Sequence, residues 1–270
     1  MKNEIWVSWW SAGVTSAVAT KIALDTWGDK VEPYYIEIES AHPDNERFIA
    51  DCERWYGKKI NRLKSPTYKD QFDVIEKTGY VNGPSGARCT LELKKNVRFA
   101  FEESRKGNLF EPSKPIIQHY IMGFEFSPKE INRALGFRMD FPYPYPLFPL
   151  IEKKLTKENC HALLNLAGIE EPAMYRLGYN NNNCIGCVKG GQGYWNKIRV
   201  DFPEHFNRMA KAERVAGHSC INGIFLDELN PTSGRDVKPI IPDCGMICQT
   251  FAEDFASAKA ERIYNGLEKF

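Results

Sequence analysis

No stretch of the 270 residues holds an apolar run near the ~20 that a helical membrane span needs. No charge excess is present either: Lys and Arg number 36, Asp and Glu 35, and the formal net charge is +1. That removes a broad basic field for nucleic acid, although it allows a local patch. The opening residues carry an acidic Glu4 and early tryptophans where a secretory segment would have an apolar centre. A cytoplasmic protein with no membrane partner is expected. Its eight cysteines then read as thiols, metal ligands or catalytic groups rather than disulfides. Internal repeats are lacking, and the asparagine run at 180–183 is the only low-complexity tract. Two familiar nucleotide motifs are missing as well: the Gly-Lys-Ser/Thr ending of a P-loop and the Gly-x-Gly-x-x-Gly of dinucleotide folds.

What the first residues do have is an alternation, Ile5, Val7 and Trp9, that suits a short strand. Ser11-Ala12-Gly13-Val14-Thr15-Ser16 follows, and then a helix-friendly run over 17–24. A strand, a small-residue loop and a helix start make a place for an anion. Small side chains let a phosphate approach the backbone, and the free N–H groups and dipole of a helix N-terminus favour negative charge. The hydroxyls of Ser11, Thr15 and Ser16 add donors. An ordinary strand-to-helix turn has the same outline.

Residues 31–38 and 59–63 read as further strands, with Phe48, Ile49, Cys52 and Trp55 on one face of a helix between them. Strand, helix, strand, helix, strand predicts a parallel sheet covered on both sides, with ligands beyond the C-terminal strand ends. The loops at 11–16 and 39–44 would share that edge. Glu37 or Glu39 there offers either an adenosine contact or a solvated strand-end charge. A helix over 68–77 leads through a Gly/Pro/Ser loop at 81–87 to Arg88-Cys89-Thr90-Leu91-Glu92-Leu93-Lys94, which opens a helix to about 106. Cys89 at a helix start beside Arg88 is placed for thiolate character; a buried core cysteine is the alternative. Residues 116–122 form the clearest internal strand. Gly123-Phe124-Glu125 and a Ser127-Pro128-Lys129-Glu130 helix start follow, with Arg133 on that helix. The proline- and aromatic-rich 140–149 reads as an extended loop, a lid or wall of the site. An amphipathic helix is expected over 156–166.

From Tyr175 the character changes. Cys184-Ile185-Gly186-Cys187 is a half-site for a metal or cluster. Helices follow around Trp195 and over 204–215, then Asp243-Cys244-Gly245-Met246-Ile247-Cys248 and a tail with a helical pattern from 251. The half-site needs further ligands: Cys89, Cys244, Cys248 and, as a weaker candidate, Cys220, with His161 or His218 as substitutes. Four cysteines would hold structural zinc or a 4Fe–4S cluster; three would leave an open iron or zinc position. Cys52 and Cys160 read as core residues. The expected class is α/β. A Rossmann-like parallel sheet with helices on both faces spans 1–175, and a helical, cysteine-bearing region over 176–270 packs on it.

Taken in order, these segments resemble the PAPS (phosphoadenosine phosphosulfate) reductase family of the PP-loop ATP pyrophosphatase, or adenine nucleotide alpha-hydrolase, superfamily, over roughly 5–248. Ser11, Gly13 and Ser16 match the Ser-Gly-Gly-x-Asp-Ser PP-loop, with Ala12 for one Gly and Thr15 for the Asp. His42-Pro43 with Glu46 resembles the family's post-strand segment, and Arg88-Cys89-Thr90 with Lys94 its Arg-Cys-Cys/Thr…Lys element. Gly123, Glu125, Arg133 and Tyr145-Pro146-Leu147 resemble the segment before a helical appendage. Cys184-x-x-Cys187 resembles the cluster pair of adenylyl-sulfate reductases. Asp243-Cys244-Gly245 resembles the C-terminal Glu-Cys-Gly-x-His nucleophile, without its His.

The resemblance implies an enzyme that binds ATP or PAPS through Ser11, Ala12, Gly13, Val14, Thr15, Ser16, Glu37 and Gly123, with Mg2+ allowed beside the phosphates. It implies Arg133 as a phosphate or sulfate clamp, with Lys94 and Cys244 as the other catalytic residues. A 4Fe–4S cluster, or zinc, would sit on Cys89, Cys184 and Cys187. Thr90 replaces the second cysteine of the family's adjacent pair, so either Cys244 or Cys248 would supply the fourth ligand or the site would be open, as in some tRNA-thiolating relatives. The chemistry implied is sulfur-linked. In one form the Cys244 thiolate attacks the sulfur of PAPS, giving a thiosulfonate that a thioredoxin-like partner resolves; in another a substrate is adenylated. ATP-dependent thiolation of tRNA or DNA from a sulfur donor is the alternative enzyme, and a non-catalytic nucleotide-binding or interaction module the alternative class. A homo-oligomer is compatible with each.

Overall fold

β1 (Glu4–Trp10) is the central strand of a five-stranded sheet. The computed structural model describes residues 4–83, 86–105 and 116–234. Across the sheet the strands run β3-β2-β1-β4-β5, and every pairing is parallel. The α/β class with a parallel sheet is therefore as expected. The alternation along β1 is only half of its character. Ile5, Val7 and Trp9 meet Phe101 and Tyr120 on one face, but Trp6, Ser8 and Trp10 are buried too. A central parallel strand is covered on both sides and has no polar face.

The chain runs from β1 into α1 (Val14–Trp27), then β2 (Val31–Glu37), α2 (Asn45–Tyr56), β3 (Asn61–Lys64) and α3 (Gln71–Thr78). The helix expected from 88 is present but irregular: α4 (Arg88–Thr90) passes through a π-helical turn, Leu91–Lys95, into α5 (Asn96–Arg105). Such turns widen the helix by one residue and often mark functional positions; this one carries Lys94 and Lys95. β4 (Ile116–Ile121) then leads to α6 (Pro128–Asp140), whose N-cap Ser127 accepts from Glu130 N.

The 140–149 segment differs from the expected loop. α6 extends to Asp140, and β5 (Tyr145–Leu147) pairs with β4 as an edge strand. Proline suits an edge, where its missing N–H can face away from the ladder, so Pro146 does not exclude a strand. The described chain continues with α7 (Pro149–Glu152), α8 (Lys157–Leu166), α9 (Ala173–Arg176), α10 (Gln192–Asp201) and α11 (Pro203–Ala216). Among the described residues no helix is long and apolar enough to cross a membrane.

Two cores result. α1, α2, α7 and α8 cover one face of the sheet around Trp10, Val18, Phe48, Leu150 and Leu164. A second core joins Phe72, Ile75, Val81 and Ala87 to Met174, Ile185, Trp195, Ile198 and Met209. It draws on both sides of residue 175. The tail, with Cys244 and Cys248, lies outside the described residues.

The strand order reverses between β1 and β4, so their C-terminal ends bound the crevice where open α/β sheets take ligands. Gly123 stands at this point. A Cβ there would lie 2.6 Å from Ser16 Cα and 2.7 Å from Ser16 N. Only hydrogen fits between the chain leaving β4 and the first turn of α1. Because the obstructing atoms are backbone, Gly123→Ala is expected to lower the unfolding free energy by ~1–3 kcal/mol in urea denaturation; an unchanged midpoint would show that the contact yields freely.

Candidate functional site

Ser16 shapes the connection from β1 to α1. Its Oγ accepts from Ser11 N and Ser11 Oγ, each at 3.1 Å, and donates to Gly13 O at 2.9 Å. Ser16 is 4% exposed, so this hydroxyl organises the loop. Ala12 adopts a left-handed φ of +58°, which costs a non-glycine residue roughly 1–2 kcal/mol. Its methyl is fully buried, which offsets about 0.8 kcal/mol of that. Gly13 is the N-cap of α1 and brings no capping side chain, and the first turn has no acidic residue. The dipole of α1 therefore opens uncompensated from its own chain. Val14 keeps its side chain in the core, while backbone N–H groups of Val14 and Asn182 both meet the Tyr175 hydroxyl. Burial pushes that phenol's pKa up, so it stays neutral.

The loop borders a cleft of about 560 Å³. Lys94, Lys95, Arg98, Lys129, Arg133 and Lys157 line it, against Glu125 and Glu130. A chain of near-zero net charge thus gathers a local cationic surface. Arg133 pairs with Glu130 at 3.1 Å and lies over the Phe124 ring at 4.4 Å. Lys157 donates to Asn181 Oδ1 at 2.9 Å, and burial holds its pKa down while Glu125 and Glu158 oppose that shift. Arg98 stands 4.4 Å from the Phe141 ring and 3.0 Å from Glu102 Oε1. Its Nη2 is buried without an acceptor. Two other lining residues are similarly incomplete: Trp9 Nε1 lacks an acceptor and Asn182 Oδ1 lacks a donor. Buried polar atoms are normally satisfied, and these three are not.

The far side of the cleft is tied to the sheet by polar contacts. Asp44, before α2, takes Arg47 at 2.7 and 2.8 Å and the Ala173 N–H at 2.8 Å. The Arg47 bonds are the main reason its carboxyl pKa is lowered. This anchors α9 and so places Tyr175. Asn182 Nδ2 donates to Ala12 O and Asn45 Oδ1, both at 2.7 Å, joining the asparagine run to the loop at 11–16. Ile185 N donates to Ser40 O and Gln71 Nε2 to Ile185 O, each at 2.8 Å. Tyr194 OH receives Cys187 N at 2.9 Å and donates to Cys184 O at 3.2 Å. The Cys-x-x-Cys turn is thus fixed at the sheet's ligand edge, and Cys184 lines the cleft.

Cys89, at the start of α4, joins this turn. Its sulfur is close enough to Cys184 and Cys187 to feel both charges. The expected thiolate character of Cys89 is overturned. Burial first, then Cys187 and Cys184, push its pKa up to about 11, and Lys94 and Lys189 only oppose this. Arg88, the cation expected to help, pairs with Glu92 at 2.7 Å. Cys187 is likewise raised by burial and by Cys184. Without a bound metal the Cys89 and Cys187 sulfurs are thiols. Among the described residues no group of three or more His, Cys, Asp or Glu is arranged to hold a metal ion as it stands.

The other sequence candidates separate into three groups. Ser11, Gly13, Thr15, Ser16, Lys94, Gly123 and Arg133 all line the cleft. Glu37 is not among its lining residues; its carboxylate pairs with Arg62 at 2.7 Å. Cys244 and Cys248 lie outside the described residues. Sequence reasoning passed over Trp9, Arg98, Lys157, Tyr175 and Asn182. Only the asparagine run carried a visible signal among these, since the others sit on regular elements whose cleft-facing side depends on tertiary packing. No family model matches the chain, and no curated protein matches it.

Asn182→Ala would leave Ala12 O and Asn45 Oδ1 without their shared donor. An unfolding free-energy loss of about 1–3 kcal/mol is expected in urea denaturation; no loss would show that the loop does not depend on this tie.

Proposed function

We propose that the chain is a PAPS reductase-like PP-loop enzyme of the cytoplasm. It binds an adenine nucleotide, ATP or PAPS, and performs sulfur-linked chemistry, either sulfonucleotide reduction or substrate adenylation. The observation that carries this reading is that one cleft is lined both by the first turn of α1, whose N-cap brings no capping side chain, and by Cys184. The nucleotide's phosphates go to the first turn of α1, where backbone N–H groups and the dipole favour them. Lys94, Lys129 and Arg133 complete the charge balance from the rim.

Cys89, Cys184 and Cys187 are the residues that would hold a 4Fe–4S cluster. Zinc is the alternative occupant, held by thiolates at ~2.3 Å. A cluster takes each cysteine on a different iron, so the sulfurs ring a volume. Bound there, a cluster supplies electron-transfer chemistry and a strong local field beside the nucleotide. A thioredoxin-like reductant or a sulfur donor is the matching partner. ATP-dependent thiolation of tRNA or DNA is the second reading, favoured by the six cations that line the cleft.

Gly13→Asp tests the nucleotide site. The backbone at Gly13 (φ −97°, ψ 155°) accepts any residue, and its Cβ would make only ordinary contacts at 3.4 and 3.5 Å. Aspartate is a good N-cap and favours a helix N-terminus, so stability should hold or rise by about 0.5–1 kcal/mol. The same carboxylate occupies the phosphate position and repels the ligand. Calorimetric titration with ATP and with PAPS should show at least tenfold weaker binding than wild type. Unchanged affinity for both would overturn the phosphate assignment; no binding of either nucleotide by wild type would overturn the function.

A further inference from the structure

The cations that line the cleft are not equivalent. Lys94, Lys95 and Lys129 are exposed, and the Arg133 side chain is 63% exposed and paired with Glu130. Solvent and salt screen such charges, so each adds little to holding an anion. Arg98 is half-buried, but its Nε stands 3.0 Å from the Glu102 carboxylate. Lys157 is half-buried and differs from all of these. Both hydrogen-bond acceptors of its ammonium are neutral oxygens, the Asn180 carbonyl and Asn181 Oδ1, the latter at 2.9 Å.

Local structure alone does not favour a lysine at this position. It is the first residue of α8, where the helix dipole disfavours a cation. Thr156 and Asn159 already form a complete capping box there, so the lysine is not needed to start the helix. What surrounds its side chain directs it to the loop at 11–16. Asn181 holds the ammonium, and the next residue, Asn182, donates to Ala12 O at 2.7 Å. The ammonium lies 5.5 Å from the centroid of the Tyr175 ring. The hydroxyl of that ring stands 3.4 Å from where a Cβ on Gly13 would be. Glu125, which lines the same cleft, favours the charged form of Lys157 against the effect of burial. An ammonium has three N–H donors. Two are used by the asparagine run, which leaves one for a ligand in the cleft that Lys157 lines.

We propose that Lys157 is a specificity-determining residue of the cleft, its ammonium binding the same phosphate or phosphosulfate chain that the first turn of α1 receives. This rests on the nucleotide part of the proposed function and deepens it. The charge that matters most to the ligand then comes from the start of α8, not from the exposed rim. A half-buried ammonium acts on an anion through a lower effective dielectric than an exposed one, and its two asparagine contacts hold it in place before the ligand arrives. The asparagine run gains a role as well: consecutive residues hold the cation and the loop that face one anion.

The test uses the full chain and titrates ATP and PAPS calorimetrically into wild type, Lys157→Met, Lys157→Arg and Lys129→Met. Lys157→Met should weaken whichever nucleotide wild type binds by about tenfold or more, the scale of a lost charged hydrogen bond. Lys157→Arg should stay within about threefold of wild type, as should Lys129→Met at the exposed rim. An affinity of Lys157→Met within about twofold of wild type overturns the proposal. So does a loss in Lys157→Arg as large as in Lys157→Met, because the side chain would then matter for packing and not for charge. A second measurement needs no variant: wild type is reductively methylated with and without the nucleotide, and each lysine is followed by mass spectrometry. Bound nucleotide should slow methylation of Lys157 more than that of Lys129, and an unchanged rate at Lys157 overturns the proposal even where Lys157→Met folds poorly. If wild type binds neither nucleotide, the nucleotide reading falls and takes this proposal with it. If wild type binds one and Gly13→Asp weakens it while Lys157→Met does not, the proposal alone falls.

Discussion

A helix that begins without a capping side chain must find its acceptors elsewhere, and α1 begins that way. The tertiary structure supplies a neutral one, the buried Tyr175 hydroxyl, from a residue more than 150 positions along the chain. Much of the surrounding architecture serves this junction. Ser16 folds the loop onto itself, Gly123 lets the chain after β4 come against the same turn, and Asn182 ties the Ala12 carbonyl to α2. The result is a preorganised hollow with exposed positive potential, bounded by rigid elements on every side described.

The sheet was legible in the sequence because its signal is local. Alternating or continuous apolar runs mark β1, β2 and β4, and small residues mark the turn into α1. β5 was not legible, since three residues with a central proline look like a loop until a neighbouring strand is known. The site was readable in part. Hydroxyls, glycines and cysteines announce themselves by type and spacing, and most of those named do line the cleft. Trp9, Arg98 and Lys157 do not announce themselves. On a strand or helix such residues are ordinary, and only the packing reveals which has a polar atom left over.

The thiols show where local reasoning gives the wrong sign. A cysteine at a helix start beside arginine should ionise easily. In the folded chain the arginine is engaged by Glu92, the helix is only a few residues long before it widens, and the sulfur is buried among other sulfurs. Desolvation and like-charge repulsion both favour the protonated form, and together they outweigh the two lysines nearby. A thiol kept protonated in this way gives up its proton when a cation binds it.

The second core has a consequence for how such a protein can be rebuilt. Phe72, Ile75 and Ala87 belong to the sheet-bearing half by position, but they pack with Trp195 and Met209 from the far end of the described chain. Cutting at the change in sequence character would expose both surfaces at once. The sulfur-bearing segment is therefore not a cassette that could be grafted onto, or exchanged from, another sheet of the same kind.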